Sequence, residues 1–97
     1  MHNKNTFVFA RITPKPRYFK STKAELAGIL EATRKEKGCI QFELHESERG
    51  ATLYLYEEWQ NKKSLENHHK QPYTVTAAKK IENWLAQPTE VLLMKKL

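Results

Sequence analysis

The chain has 97 residues, 39% hydrophobic and 29% charged, with three glycines and four prolines. That composition suits one soluble domain over residues 1–97 with a modest core, and argues against disorder or low complexity. A net charge of +6 admits an anionic partner, but the lysines are scattered rather than clustered, and the single cysteine, Cys39, excludes an internal disulfide or a CxxC site. No apolar run approaches the length that spans a bilayer, and the opening MHNKNTFVFARITPK has too short an apolar stretch for a secretion signal. A cytoplasmic protein with no membrane partner is expected.

TFVFARI, Thr6–Ile12, is rich in β-branched and aromatic residues and predicts a strand, which TPKPR ends because proline cannot donate to a ladder. In STKAELAGILEATRKEKG, Thr22 and Glu25 form a capping-box pattern. Leu26, Ile29, Leu30 and Thr33 then recur at helical spacing, and Gly38 is read as the helix stop. CIQFELHE alternates, which puts Ile40, Phe42 and Leu44 on one face and Gln41, Glu43 and His45 on the other. SERG is a hairpin turn. ATLYLYEEW alternates again, with Leu53, Leu55, Glu57 and Trp59 on one face and Tyr54 and Tyr56 on the other. Asn61 is placed to cap a short helix carrying Leu65, and Pro72 to begin another with an apolar face of Ala77, Ala78, Ile81, Trp84 and Leu85. VLLMKKL reads as a last strand. The order β-α-β-β-α-β predicts an α+β, ferredoxin-like fold with an antiparallel sheet covered by helices on one face.

The uncovered face then carries Phe7, Phe9, Tyr54 and Tyr56, an apolar patch that either a partner or a stacked ligand would cover. RNA-recognition modules share the topology, but RGATLYLY, Arg49–Tyr56, has Ala51 and Leu53 where their base-stacking aromatics belong. No nucleic-acid partner is expected. A second copy packed sheet to sheet, giving a homodimer with a closed barrel-like core, is the favoured reading.

TRKEKGCIQFEL, LYLYEEWQNKKSLENHHKQPY and the closing strand together resemble the antibiotic biosynthesis monooxygenase family over nearly the whole chain. The resemblance implies a dimeric α+β barrel with a pocket between sheet and helices in each subunit. It also implies oxygenation of a small aromatic quinol or anthrone with O2 and no metal or flavin. Glu57 and His68 match the family's strand glutamate and helix histidine, whereas Tyr73 stands where a second histidine is common. A haem-degrading branch is excluded, because YTVTAAKK offers no histidine to hold iron.

On the residues themselves, adjacent His68 and His69 point about 100° apart on a helix and cannot chelate one metal as an i, i+4 pair would. His69 is expected in solvent. His68, three residues after Leu65, shares its apolar face and is either a proton-transfer group or a structurally satisfied core histidine. Glu57 shares the face of Leu53 and Leu55, so its carboxylate must find a partner: His68, a pocket ligand, or Arg34 or a lysine. Phe42 and Trp59 are candidates to wall a flat aromatic ligand, with Leu55 and Leu65 as apolar lining and the Tyr73 hydroxyl at the mouth; for each, plain packing is the alternative. Cys39 reads as a small buried hydrophobe. The alternative function is a non-oxygenase of the same fold, an isomerase or a small-molecule binding or stress-response protein.

Overall fold

In the computed structural model, which describes residues 4–97, the alternating segments form β1 (Thr6–Ile12), β2 (Cys39–Glu46), β3 (Leu53–Trp59) and β4 (Glu90–Met94). They pair as one antiparallel sheet in the order β2-β3-β1-β4, the ferredoxin-like arrangement. A 3-10 turn at Pro16–Tyr18 leads into α1 (Phe19–Ala27) and α2 (Leu30–Arg34); α3 (Lys62–His69) and α4 (Pro72–Glu82) follow β3. Among the described residues no helix is long and apolar enough to cross a membrane.

Period-two alternation decides which side chains meet the helices. β3 alternates buried Leu53, Leu55, Glu57 and Trp59 with half-buried Tyr54, Tyr56 and Glu58, as expected. Val8, Ala10 and Ile12 of β1 join that inner face, and Leu26, Ile29, Leu65, Ala77 and Ile81 pack on it from the helix layer. Each buried valine, leucine or isoleucine in this set stabilises the fold by roughly 1.5–3 kcal/mol. On the outer face the Phe9 and Tyr54 rings stack with centroids 5.7 Å apart, and Phe7 lies 6.5 Å from Tyr56. Phe7 is nevertheless buried; among the strands, the most exposed large apolar side chains are on edge strand β4, Leu92 on the outer face and Val91 and Leu93 on the inner.

Several local expectations are corrected. Thr22 does not cap a helix. Pro16 starts the 3-10 turn ahead of it, α1 begins at Phe19, and Thr22 is fully buried with its hydroxyl donating to the Tyr18 carbonyl at 2.7 Å. Ile40 does not share the face of Phe42. The register passes from Cys39 opposite Trp59 to Gln41 opposite Glu58, a β-bulge that leaves Ile40 as the extra, half-exposed residue. Ala78 is exposed, and β4 ends at Met94, short of the lysines.

Gly38 does more than follow a helix, since α2 already ends at Arg34. Its φ is +88°, and a Cβ there would lie 2.1 Å from Ser64 Oγ. Only glycine allows both the left-handed backbone and this approach to α3. The Gly38 carbonyl accepts the Gln60 amide at 2.8 Å, which ties the turn after α2 to the start of α3.

Candidate active site

The inner sheet face and the helices enclose a cavity of about 260 Å³. Its floor includes Val8, Phe42 and Leu55, and its roof includes Leu65 of α3 and Ala77 of α4. Two buried ionisable side chains, Glu57 and His68, open onto this apolar space. A larger groove of about 400 Å³ on the outer face, lined by Phe7, Tyr56, Met94 and two lysines among others, has no such pair. The smaller cavity is therefore the candidate site.

Glu57 is delivered by strand parity, with Val8 and Phe42 as its cross-strand neighbours. Burial among them pushes its carboxyl pKa up, against the opposing pull of a hydrogen bond from Trp59 and of nearby His68. The Trp59 indole N–H donates to Glu57 Oε1 at 2.9 Å. Trp59 is fully buried and does not line the cavity; it stands behind Glu57 and orients it. Arg34 does not pair with Glu57: it donates to the Phe42 carbonyl and to Glu43.

His68 is delivered by α3. Asn61 caps that helix, its side-chain oxygen accepting the Ser64 amide at 2.9 Å, and this fixes the helix rotation that turns Leu65 and His68 inward. The imidazole packs against Trp59 at 4.9 Å and Phe42 at 5.3 Å between ring centroids. Its Nδ1 lies 2.8 Å from Oε2 of Glu36, whose side chain is only 10% exposed. Tyr73, at the start of α4, donates its hydroxyl to the same Glu36 oxygen. A carboxylate that accepts the Tyr73 proton is an acceptor for His68 also, so Nδ1 carries the hydrogen and Nε2 is the nitrogen left for a ligand.

Glu36 is therefore the central residue that sequence reasoning missed. It lies in the charged turn after α2, 32 residues from His68, and nothing in RKEKG distinguishes it from a solvated surface charge. Tyr73 does not line the cavity; burial and the Glu36 hydrogen bond push its phenol up to about 12. His69, expected in solvent, is exposed yet contributes to the cavity wall, and burial followed by its neighbour His68 lowers its pKa. Phe42, Leu55 and Leu65 line the cavity. Cys39 is half-buried, and burial with Glu36 nearby raises its thiol to about 11. Among the described residues no three His, Cys, Asp or Glu side chains are grouped to hold a metal.

This antiparallel α+β sandwich encloses an apolar cavity with a carboxyl and a carboxylate-held imidazole, groups that can exchange protons with a small, largely apolar molecule. The chain belongs to the antibiotic biosynthesis monooxygenase family, whose pattern matches residues 6–80. Rv0793 of Mycobacterium tuberculosis is 29% identical over 90 residues, which cover 93% of this chain and 89% of the relative. Its solved structure matches with a TM-score of 0.92 over 96% of this chain and 95% of that one, at 28% identity. PA3566 from Pseudomonas aeruginosa shares the fold with a TM-score of 0.91 over 100% of this chain and 98% of that one, at 23% identity.

Proposed function

We propose that the protein is a monooxygenase that oxidises a small aromatic quinol-like or anthrone-like substrate with O2, drawing the electrons from the substrate rather than from a metal or flavin. The observation that carries this reading is the Glu36–His68 pair, 2.8 Å apart, with His68 opening onto the same apolar cavity as Glu57. Family membership supports it, and Rv0793 is itself named as a candidate monooxygenase.

His68 Nε2 takes the proton of the substrate hydroxyl or enol, and Glu36 stabilises the resulting imidazolium. The electron-rich anion passes one electron to O2, and the radical pair combines into a carbon-bound peroxide. Glu57, shifted by burial toward its protonated form, returns a proton to that peroxide. Loss of the hydrogen on the oxygenated carbon and heterolysis of the O–O bond leave one oxygen on the ring as a carbonyl and the other as water. The protein supplies orientation, exclusion of water and proton transfer.

A second copy of the chain completes the proposal, packed on the outer sheet face that bears Phe7, Phe9, Tyr54 and Tyr56 and continued by exposed Leu92 and Met94 of β4. The test of the reaction is oxygen uptake with a quinol and anthrone panel. Uptake above background, reduced roughly 10²- to 10⁴-fold in His68→Ala and unchanged by chelators, is expected. Tight ligand binding without uptake would favour the non-oxygenase reading.

A further inference from the structure

The cavity wall contains a buried hydroxyl that has no partner among the described residues. Thr74, in the first helical turn of α4, lines the cavity, and its Oγ1 is buried with no hydrogen-bond partner among the described residues. The cavity's two buried ionisable groups each have a partner in the fold: Glu57 accepts from Trp59 and His68 bonds Glu36. Buried hydroxyls in folded proteins almost always have partners, so an orphan on the wall of a cavity marks a place where a ligand atom completes the bonding.

We infer that Thr74 is a specificity-determining residue that binds a second oxygen substituent of the substrate, so that the site prefers an aromatic ring bearing two neutral oxygen groups over the same ring bearing one. This rests on the reading of the cavity as the substrate site. The ligand class follows from the lining. A hydroxyl both donates and accepts, so it meets a phenol or a carbonyl equally. Among the described residues no lysine or arginine lines the cavity, which leaves a carboxylate or phosphate without a permanent countercharge. The first oxygen goes to His68 and Glu57, and the second goes to Thr74.

The experiment is an anaerobic titration of wild type, Thr74→Val and Thr74→Ser with naphthalene-1,4-diol and with 1-naphthol, together with thermal unfolding of each unliganded protein. Wild type should prefer the diol by about tenfold, a difference of about 1.4 kcal/mol. Thr74→Val should bind both compounds alike, and Thr74→Ser should keep the preference. Because valine removes an unpaired buried hydroxyl at nearly constant shape, Thr74→Val should also unfold at a higher temperature than wild type. If Thr74→Val retains the preference, or unfolds no higher than wild type, the inference fails while the cavity reading stands. If wild type binds neither compound, the reading of the cavity fails and takes the inference with it.

Discussion

Replacing Glu36 by glutamine tests the arrangement that the account of the site depends on. Glu36 accepts hydrogen bonds from His68 Nδ1 and from the Tyr73 hydroxyl at one nearly buried oxygen. Hydrogen bonds to a charged group contribute about 1.5–3 kcal/mol each. Glutamine keeps the shape and can place its amide oxygen where both bonds meet, so each bond drops from the charged range to about 0.5–1.5 kcal/mol, while the desolvation cost of the carboxylate disappears. The net loss falls toward the lower end, about 1.5 kcal/mol, and in a domain of this length it lowers the unfolding midpoint by roughly 6–12 °C. The same variant should lower turnover by about 10²-fold, because the imidazole is no longer held with Nε2 as its free base. Calorimetry reads the first effect. Nitrogen-15 NMR of His68 reads the second directly: neutral wild type should show a protonated Nδ1 and an unprotonated Nε2, and Glu36→Gln should show a mixture of tautomers. An unchanged midpoint and unchanged nitrogen shifts would refute the reasoning.

Glu57→Gln should stabilise the protein at neutral pH. Burial raises the Glu57 pKa above its ordinary value of 4.5, so the folded state favours the protonated form; that contribution is complete below the unfolded value and is lost as pH rises through the folded one. The variant's advantage in unfolding midpoint should therefore widen from pH 4 to pH 8, and a constant difference would contradict the assignment. Ultraviolet titration should find the Tyr73 phenol ionising near pH 12, as the difference between wild type and Tyr73→Phe. Cys39, with its thiol raised to about 11, should react with a thiol reagent at pH 7.5 much more slowly than a free cysteine in the unfolded chain. Gly38→Ala forces a Cβ against Ser64 and a side chain into left-handed backbone, so a loss of more than about 2 kcal/mol is expected by chemical denaturation. Light scattering should give twice the chain mass, and charges placed at Phe9 and Tyr56 should halve it.

The fold was legible because alternation at Leu53–Trp59 and the helical spacing of Leu26, Ile29 and Thr33 are direct imprints of the surfaces they bury. At the Ile40 bulge the period breaks: Ile40 leaves the face of Phe42, and Cys39, which strict alternation puts with Gln41, packs against the core instead, while parity holds from Gln41 onward. The candidate site was legible where its groups sit on regular elements: strand parity brings Glu57 to the cavity, and capped-helix spacing brings His68. Glu36 was not, because its burial depends on how a turn folds back onto α3 through Gly38, and no local pattern records a contact 32 residues away. Trp59 and Tyr73 were read as ligand contacts because aromatics near a histidine suggest a pocket. Both instead bond the acids, Glu57 and Glu36, that flank His68.

The most direct test of the central claim is oxygenation of naphthalene-1,4-diol under ¹⁸O₂, with product mass measured for wild type and His68→Ala. The account predicts catalysed formation of a quinone carrying one added ¹⁸O, with the other oxygen released as labelled water, and a rate reduced at least about 10²-fold without His68. Product formation at the uncatalysed rate, or a catalysed product containing no ¹⁸O, would contradict it.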